Sequence, residues 1–486
     1  MQRDRATQLV RQAMSLLESG RLLPAEQAAE QALAVDKRNV DAMIIRGTCA
    51  LEREYFDEAG VWLNKALAID RKNVRAHCVL GNALTRHGRF REAMQRFGRA
   101  MKLEPDNVMP VIGLAQVLDM EGRFDRVLHM LDPYVRRRAL TADMLVLRIR
   151  AMVNTGALAE AIEHVEAART AGIPPRHERE LCLLAGRAHE KLGALDEAWS
   201  MLAAGNAIGR MPYDHAATLE RHDEIRRAFA SSADVRSTCD SAQPVFIVGL
   251  PRTGSTLIES ILHAHDDAVG VGEIATMRKL MERVPDLVGG ELLYPACVPA
   301  LTADHLTRLA ETYLDDLPRA VRRSARIIDK ALDNYLYVGL LVRMFPNARV
   351  IDARRSPVEN CFACFMQNLD PRTHRYASSL EDLGAYYQAY EALMTFWHET
   401  CSSQMMRFEY EALVSDPETE TRRLLEFIGL PWQDQCLRFH EKRRDVTTIS
   451  TQQVTQPITQ GAIGRAERFG ARLDPLRRAL GDHGGR

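Results

Sequence analysis

One short pattern recurs through the amino-terminal half and constrains the fold more than any other feature. It is anchored at Gly20, Glu54, Gly88, Gly122, Gly156 and Gly193, with spacings of 34, 34, 34, 34 and 37 residues. Two residues after the anchors stand Leu22, Phe56, Phe90, Phe124, Leu158 and Leu195; five residues after them stand Ala25, Ala59, Ala93, Val127, Ala161 and Ala198. Ala32, Ala66 and Ala100 add small side chains that let helices approach closely. Asp-Lys-Arg-Asn (36–39), Asp-Arg-Lys-Asn (70–73) and Glu-Pro-Asp-Asn (104–107) punctuate the turns between units. A helix–turn–helix unit of this length cannot bury its apolar face alone, so the units must stack.

This pattern resembles the tetratricopeptide repeat family, and five or six units cover roughly residues 5–210. The resemblance implies an all-α solenoid over residues 1–230, closed by a helix near 215–230. Its concave surface would hold a peptide or protein partner, the alternative being a scaffold that stabilises its neighbour. Residues 231–243 are small and polar without helical periodicity and read as a linker. From 244 to 486 strand-like apolar runs alternate with helices, which predicts an α/β domain with a mainly parallel sheet.

A length of 486 residues calls for more than one hydrophobic core. The formal net charge of −1 supplies no overall field for nucleic acid or anionic lipid, so any anion site must be local. Nine scattered cysteines form no disulfide framework, which fits a reducing compartment. The amino terminus has no secretory core and no run approaches the roughly 18 apolar residues of a membrane span, so a cytoplasmic protein is expected. Cys361 and Cys364 form an isolated Cys-x-x-Cys on a helical pattern; a buried helical face is the expectation, and no metal-ligand spacing is present.

The run Pro244-Val-Phe-Ile-Val-Gly-Leu250 is followed by Pro251-Arg-Thr-Gly-Ser-Thr256 and then by a helical pattern. Strand, glycine loop and helix in that order aim backbone N–H groups and a positive helix end at one point, which suits a phosphate. Against the nucleoside-triphosphate loop Gly-x-x-x-x-Gly-Lys-Ser/Thr, Gly249, Gly254 and Thr256 fit, but Ser255 occupies the lysine position. Without that lysine the loop is poorly equipped for a triphosphate with Mg²⁺. Arg252, Thr253, Gly254, Ser255 and Thr256 can still wrap a single 5′-phosphate; a degenerate triphosphate loop or a tight turn is the alternative.

The loop, together with Val271-Gly-Glu273, resembles the sulfotransferase superfamily and its tyrosylprotein branch in particular. The resemblance covers most of residues 244–466 and implies 3′-phosphoadenosine 5′-phosphosulfate as sulfuryl donor, without a metal. Glu273, 21 residues after Arg252, matches the catalytic carboxylate, and an acceptor hydroxyl requires such a general base. His263 and His265, an alternative base, read as structural because they belong to the helix after the loop. Lys330, ending Arg326-Ile-Ile-Asp-Lys, matches the lysine that steadies charge on the leaving phosphate oxygen. Arg355 matches the 3′-phosphate ligand, at a helix start where Ser356 and Glu359 spell a capping box with Pro357 at the first position. In Arg407-Phe-Glu-Tyr-Glu-Ala-Leu-Val, Tyr410 matches the tyrosine at the adenine end. Ser450 and Arg465 match the serine by the sulfuryl group and the cation fifteen residues on, arginine standing for the branch's lysine.

The chain departs from the family at two places. Ala363 replaces a serine and Gln367 a basic residue, leaving the 3′-phosphate fewer side chains, with Arg354 or the Tyr410 motif as the nearest substitutes. Glu273 is followed by Ile274, Ala275 and Thr276, so a local clamp for an acidic peptide is not reproduced. The expected activity is sulfuryl transfer to a hydroxyl on a peptide or protein, above all tyrosine, with a small alcohol, phenol or glycan as the alternative acceptor. The competing readings are a catalytically inactive nucleotide-binding domain on an interaction scaffold and a P-loop kinase, the latter disfavoured by Ser255.

Overall fold

The computed structural model describes residues 2–288, 291–441, 458, 461 and 463–481, and these pack as two compact units, the second beginning at Ala157. The first unit is all-helical. Helices Val40–Glu52 and Phe56–Ile69, then Val74–Arg86 and Phe90–Leu103, illustrate the repeating pair. The asparagine of the first two turn motifs caps the next helix: Ala42 N donates to Asn39 Oδ1 at 3.0 Å and Ala76 N to Asn73 Oδ1 at 2.9 Å. In the third motif Met109 N donates to Asn107 Oδ1 at 3.0 Å. The anchors lie in the left-handed region, with φ of 77° at Gly88 and 70° at Gly122, and Glu54 joins them at 64° although it carries a side chain. Ala25, Ala59 and Ala93 are fully buried. Phe97 shows why small residues recur: a Cβ added at Gly81 would meet its ring at 2.6 Å.

The second unit contains a five-stranded sheet of β1 (Pro244–Gly249), β2 (Ala268–Gly272), β3 (Arg326–Asp329), β4 (Arg349–Arg354) and β5 (Met405–Glu409). The strands lie in the order β2-β3-β1-β4-β5 and every pairing is parallel, as the alternation of apolar runs and helices predicts. Every residue of β1 is buried, the expected state of a central strand covered on both faces. The chain leaves β1 toward one side of the sheet and later returns to build the other. Ligand sites in open parallel sheets form at such a reversal, beyond the carboxyl ends of the strands.

The helices before the linker are built into this same core. Leu183, Leu202, Ile225 and Phe229 are buried in one cluster with Phe246, Val350, Trp397 and Phe469. Phe229 meets Trp397 edge-on at 5.0 Å, and Arg343 lies over its ring at 4.8 Å. Arg179, buried, donates to the Gly205 and Ile208 carbonyls and to Ser378 Oγ. Even the linker is held, since Ser237 N donates to the Arg343 carbonyl at 2.9 Å. The packing therefore divides the chain within the repeat array, whereas residues 231–243 mark the change from helical to strand-rich sequence.

This shared core makes the sheet depend on a helix outside it. Phe229→Ala should destabilise the second unit by about 3 kcal/mol, the usual scale for deleting a buried aromatic ring. A denaturation midpoint unchanged from that of the parent would show that the helix is an accessory to the core.

Candidate active site

The loop after β1 turns sharply into helix Ser255–Ala264. Arg252 has φ 71° and Gly254 φ 86°, two left-handed residues that curl the backbone so that successive N–H groups face inward. Gly254 is required twice over, because a Cβ there would meet Tyr410 Cδ2 at 2.5 Å. Thr253, Ser255 and Thr256 are buried, and Thr253 Oγ1 donates to the Leu250 carbonyl at 2.9 Å. Leu257 N and Ile258 N donate to the Gly254 carbonyl, and the positive end of the helix dipole lies at the loop, where it suits an anion.

Helix Pro357–Phe365 fixes the loop from below. Asn360 Nδ2 donates to the Pro251 carbonyl at 2.8 Å, and Cys364 Sγ donates to the same oxygen at 3.2 Å. Cys361 and Cys364 are free and buried, as a helical face demands, and burial pushes the Cys364 thiol up to about 12. They are therefore packing and hydrogen-bonding groups in the thiol form. Among the described residues no group of three or more His, Cys, Asp or Glu side chains is arranged to hold a metal ion.

Glu273 and Lys330 stand side by side because β2 and β3 are adjacent and parallel, and a register shift between Gly270 and Gly272 sets Gly272 opposite Asp329. Lys330 Nζ donates to Glu273 Oε1. The lysine side chain is fully buried while that of the glutamate is 54% exposed, so the pair presents a carboxylate to solvent on a fixed internal cation. Two further carboxylates support the strand ends. Glu259 of the loop helix accepts from Gly272 N at 2.8 Å. Asp329 accepts from Tyr313 OH at 2.7 Å, Ala331 N at 2.8 Å and Asn334 Nδ2 at 3.1 Å, while burial pushes its carboxyl up to about 7 against those bonds.

Arg355 is buried at the end of β4, its guanidinium 5.2 Å from the Tyr410 ring centroid. It donates to the Arg252 carbonyl at 3.4 Å and to Glu359 Oε2 at 3.1 Å. The helix begins at Pro357 as expected, but the predicted capping box does not form: Ser356 makes no side-chain cap bond. Glu359 is drawn instead to Arg355 and to Ala466 N, and Ser356 N donates to Glu411 Oε1. Arg354, the other substitute that the sequence offers, is buried and pairs with Asp352 and Glu391. Tyr410 opens helix Tyr410–Ser415 directly after β5, half-buried against the loop glycine. His263 and His265 serve the backbone, accepting from Gly270 N and Asp267 N respectively. Ser450 lies outside the described residues.

Arg465 pairs with Glu190, a partner far away in sequence. Burial holds the Arg252 guanidinium below its ordinary value, and the cations of Arg355 and Arg465 act in the same direction. Glu190 and Glu359 are the contributors that sequence reasoning missed in these roles. Glu359 carried a signal, since it stands in the first turn of a helix four residues after Arg355, whereas nothing local marks Glu190.

Residues 244–434 match the model of the sulfotransferase family, and residues 10–74 match a tetratricopeptide repeat model. An uncharacterized protein of Aquifex aeolicus is 32% identical over 242 residues, covering 49% of this chain and 32% of its own length. The protein-tyrosine sulfotransferase of Drosophila melanogaster is 22% identical over 234 residues, 46% of each chain. Protein-tyrosine sulfotransferase 1 of Danio rerio is 26% identical over 239 residues, 46% of this chain and 64% of the relative. The chain thus spans from about a third to just under two thirds of the length of these relatives. It carries a domain of the sulfotransferase family behind an amino-terminal solenoid of tetratricopeptide repeats.

Proposed function

We propose that this domain transfers a sulfuryl group from 3′-phosphoadenosine 5′-phosphosulfate to an acceptor hydroxyl, with Glu273 as general base. The observation that carries the reading is the half-exposed Glu273 carboxylate held by the fully buried Lys330 ammonium, at the strand ends beside the phosphate loop. The sulfuryl donor supplies an activated S–O bond to a 5′-phosphate oxygen, and that bond breaks as the acceptor oxygen bonds to sulfur. Arg252, Thr253, Gly254, Ser255 and Thr256 would hold the 5′ end, Arg355 and Arg465 the remaining phosphate charge, and Tyr410 the base. Support for this anion comes from the two left-handed residues of the loop, the glycine that brings an aromatic ring against it, and the Arg355 guanidinium that reaches the Arg252 carbonyl.

In the reaction Glu273 removes the proton from the acceptor oxygen as that oxygen becomes nucleophilic. Lys330 keeps Glu273 oriented, and its ammonium stabilises negative charge on the leaving phosphate oxygen together with the loop amides. Positioning and charge stabilisation supply the rate, since there is little covalent work for the protein. Ser450 is assigned by resemblance to the sulfuryl end. None of the described helices is long and apolar enough to cross a membrane.

The proposed acceptor is a tyrosine hydroxyl on a peptide or protein. Support comes from the protein-tyrosine sulfotransferases among the relatives and from the repeats, whose surface would bind the polypeptide by remote contacts. A small phenol, alcohol or glycan is the second reading, favoured by the uncharged Ile274, Ala275 and Thr276 after the base; Thr276 is buried and donates its hydroxyl to Asp316 at 2.6 Å.

Glu273→Gln should lower turnover by about 10²- to 10⁴-fold while leaving nucleotide affinity nearly unchanged, because it removes a base and no phosphate contact. Comparable turnover in the variant would place the base elsewhere. Lys330→Ala should reduce turnover by about 10²-fold, more than it reduces nucleotide affinity; loss of affinity alone would make Lys330 a binding group. Substituting polar residues on the concave face of the repeats tests the acceptor. Loss of transfer to a peptide with retained transfer to a small phenol is expected, and equal rates on both would remove the repeats from substrate recognition.

A further inference from the structure

The segment Ala466–Leu473 joins the last repeat pair to the helix beneath the phosphate loop. Fully buried Phe469 has its ring centroid 4.6 Å from Phe362 and 6.3 Å from Trp199. Trp199, on the repeat helix Leu195–Ala207, also stacks with Phe365 at 5.7 Å. Just before this segment Arg465 Nε donates to Glu190 Oε1 at 2.6 Å and Nη2 donates to Glu190 Oε2. Glu190 belongs to the repeat helix Pro175–Lys191, outside the residues that match the sulfotransferase family.

This pair is asymmetric in a way that bears on the site. The Glu190 side chain is 4% exposed and that of Arg465 31%, so the carboxylate is internal and the cation reaches outward. A side-on pair uses Nε and Nη2, leaving Nη1 as a further donor edge. Among the described residues Nη1 has no hydrogen-bond partner. The next residue, Ala466, donates its N–H to Glu359 Oε1 at 2.8 Å, and Glu359 Oε2 accepts from Arg355. Arg355 in turn donates to the Arg252 carbonyl. One run of contacts thus connects a repeat carboxylate to each of the three arginines.

We infer that Glu190 is a positioning residue of the sulfuryl-donor site, holding Arg465 side-on so that Nη1 meets a phosphate of the nucleotide. A repeat helix then completes a site that otherwise belongs to the sulfotransferase domain. Arg465 carries a long, flexible side chain, and anchoring it before the ligand arrives reduces the entropy lost on binding. The inference rests on the sulfuryl-donor reading proposed above.

The test is calorimetric titration of the full chain with 3′-phosphoadenosine 5′-phosphate, with turnover measured in parallel. Glu190→Gln should weaken affinity about tenfold and raise KM for the sulfuryl donor, with kcat at saturation little changed. Arg465→Ala should weaken affinity to a similar degree, and the double variant should be no worse than Arg465→Ala alone. Arg472→Ala, which removes only the exposed tie to Asp196, should bind as the parent does. Arg465→Lys keeps the charge without the side-on pair and should lose affinity, which keeps the test decisive should Glu190→Gln fail to fold. Parental affinity in Glu190→Gln or Arg465→Lys, additive losses in the double variant, or an equal loss in Arg472→Ala would each overturn the inference and leave the sulfuryl-donor reading intact. A parent chain that fails to bind the nucleotide would overturn both together.

Discussion

A lysine side chain with no solvent exposure cannot keep its charge cheaply unless a counter-charge is fixed beside it, and Glu273 fills that requirement for Lys330. The pairing exists because β2 and β3 are adjacent and parallel, with a register shift after Gly270 that brings Gly272 opposite Asp329, so that the residues just past them emerge together. The strand ends are secured in turn by Glu259 on Gly272 N and by three donors on Asp329. An exposed carboxylate on a buried ammonium is oriented without being removed from water, which suits the role of general base proposed for Glu273.

The second constraint is the gathering of Arg252, Arg355 and Arg465 around one loop. Two of them have a carboxylate that fixes their direction, Glu359 for Arg355 and Glu190 for Arg465, and the Arg355 guanidinium also reaches the Arg252 carbonyl. Holding like charges close together costs folding stability through repulsion and burial, a cost that the phosphates of the proposed nucleotide would offset. The same contacts place the last repeat helices within the core of the sheet-containing unit. The compact unit that holds the sheet therefore begins at Ala157, before the point where the sequence changes character.

Much of this was legible in the sequence, and the reasons differ from element to element. The helix pairs emerged from a period, because Gly88, Phe90 and Ala93 are demanded by local turn and packing geometry. The sheet emerged from short apolar runs, and the loop from a glycine pattern whose missing lysine at Ser255 argued against a triphosphate. The capping box at Ser356 failed because Arg355 and Ala466 compete successfully for Glu359, a competition visible only when distant segments meet. The ion pair of Arg354 with Glu391 likewise joins segments that no local pattern connects. Glu190 could not be found, since its partner lies 275 residues away and the repeat pattern asks nothing of that position.

The central claim is that the loop is built for a 3′-phosphorylated adenosine nucleotide and not for a triphosphate with Mg²⁺. Isothermal calorimetry on the full chain, comparing 3′-phosphoadenosine 5′-phosphate with ATP and Mg²⁺, tests it directly. The account predicts saturable binding of the bisphosphate at least about tenfold tighter than any binding of ATP, because Ser255 replaces the triphosphate lysine while three arginines remain. Tighter binding of ATP with Mg²⁺, or no binding of the bisphosphate, would contradict it.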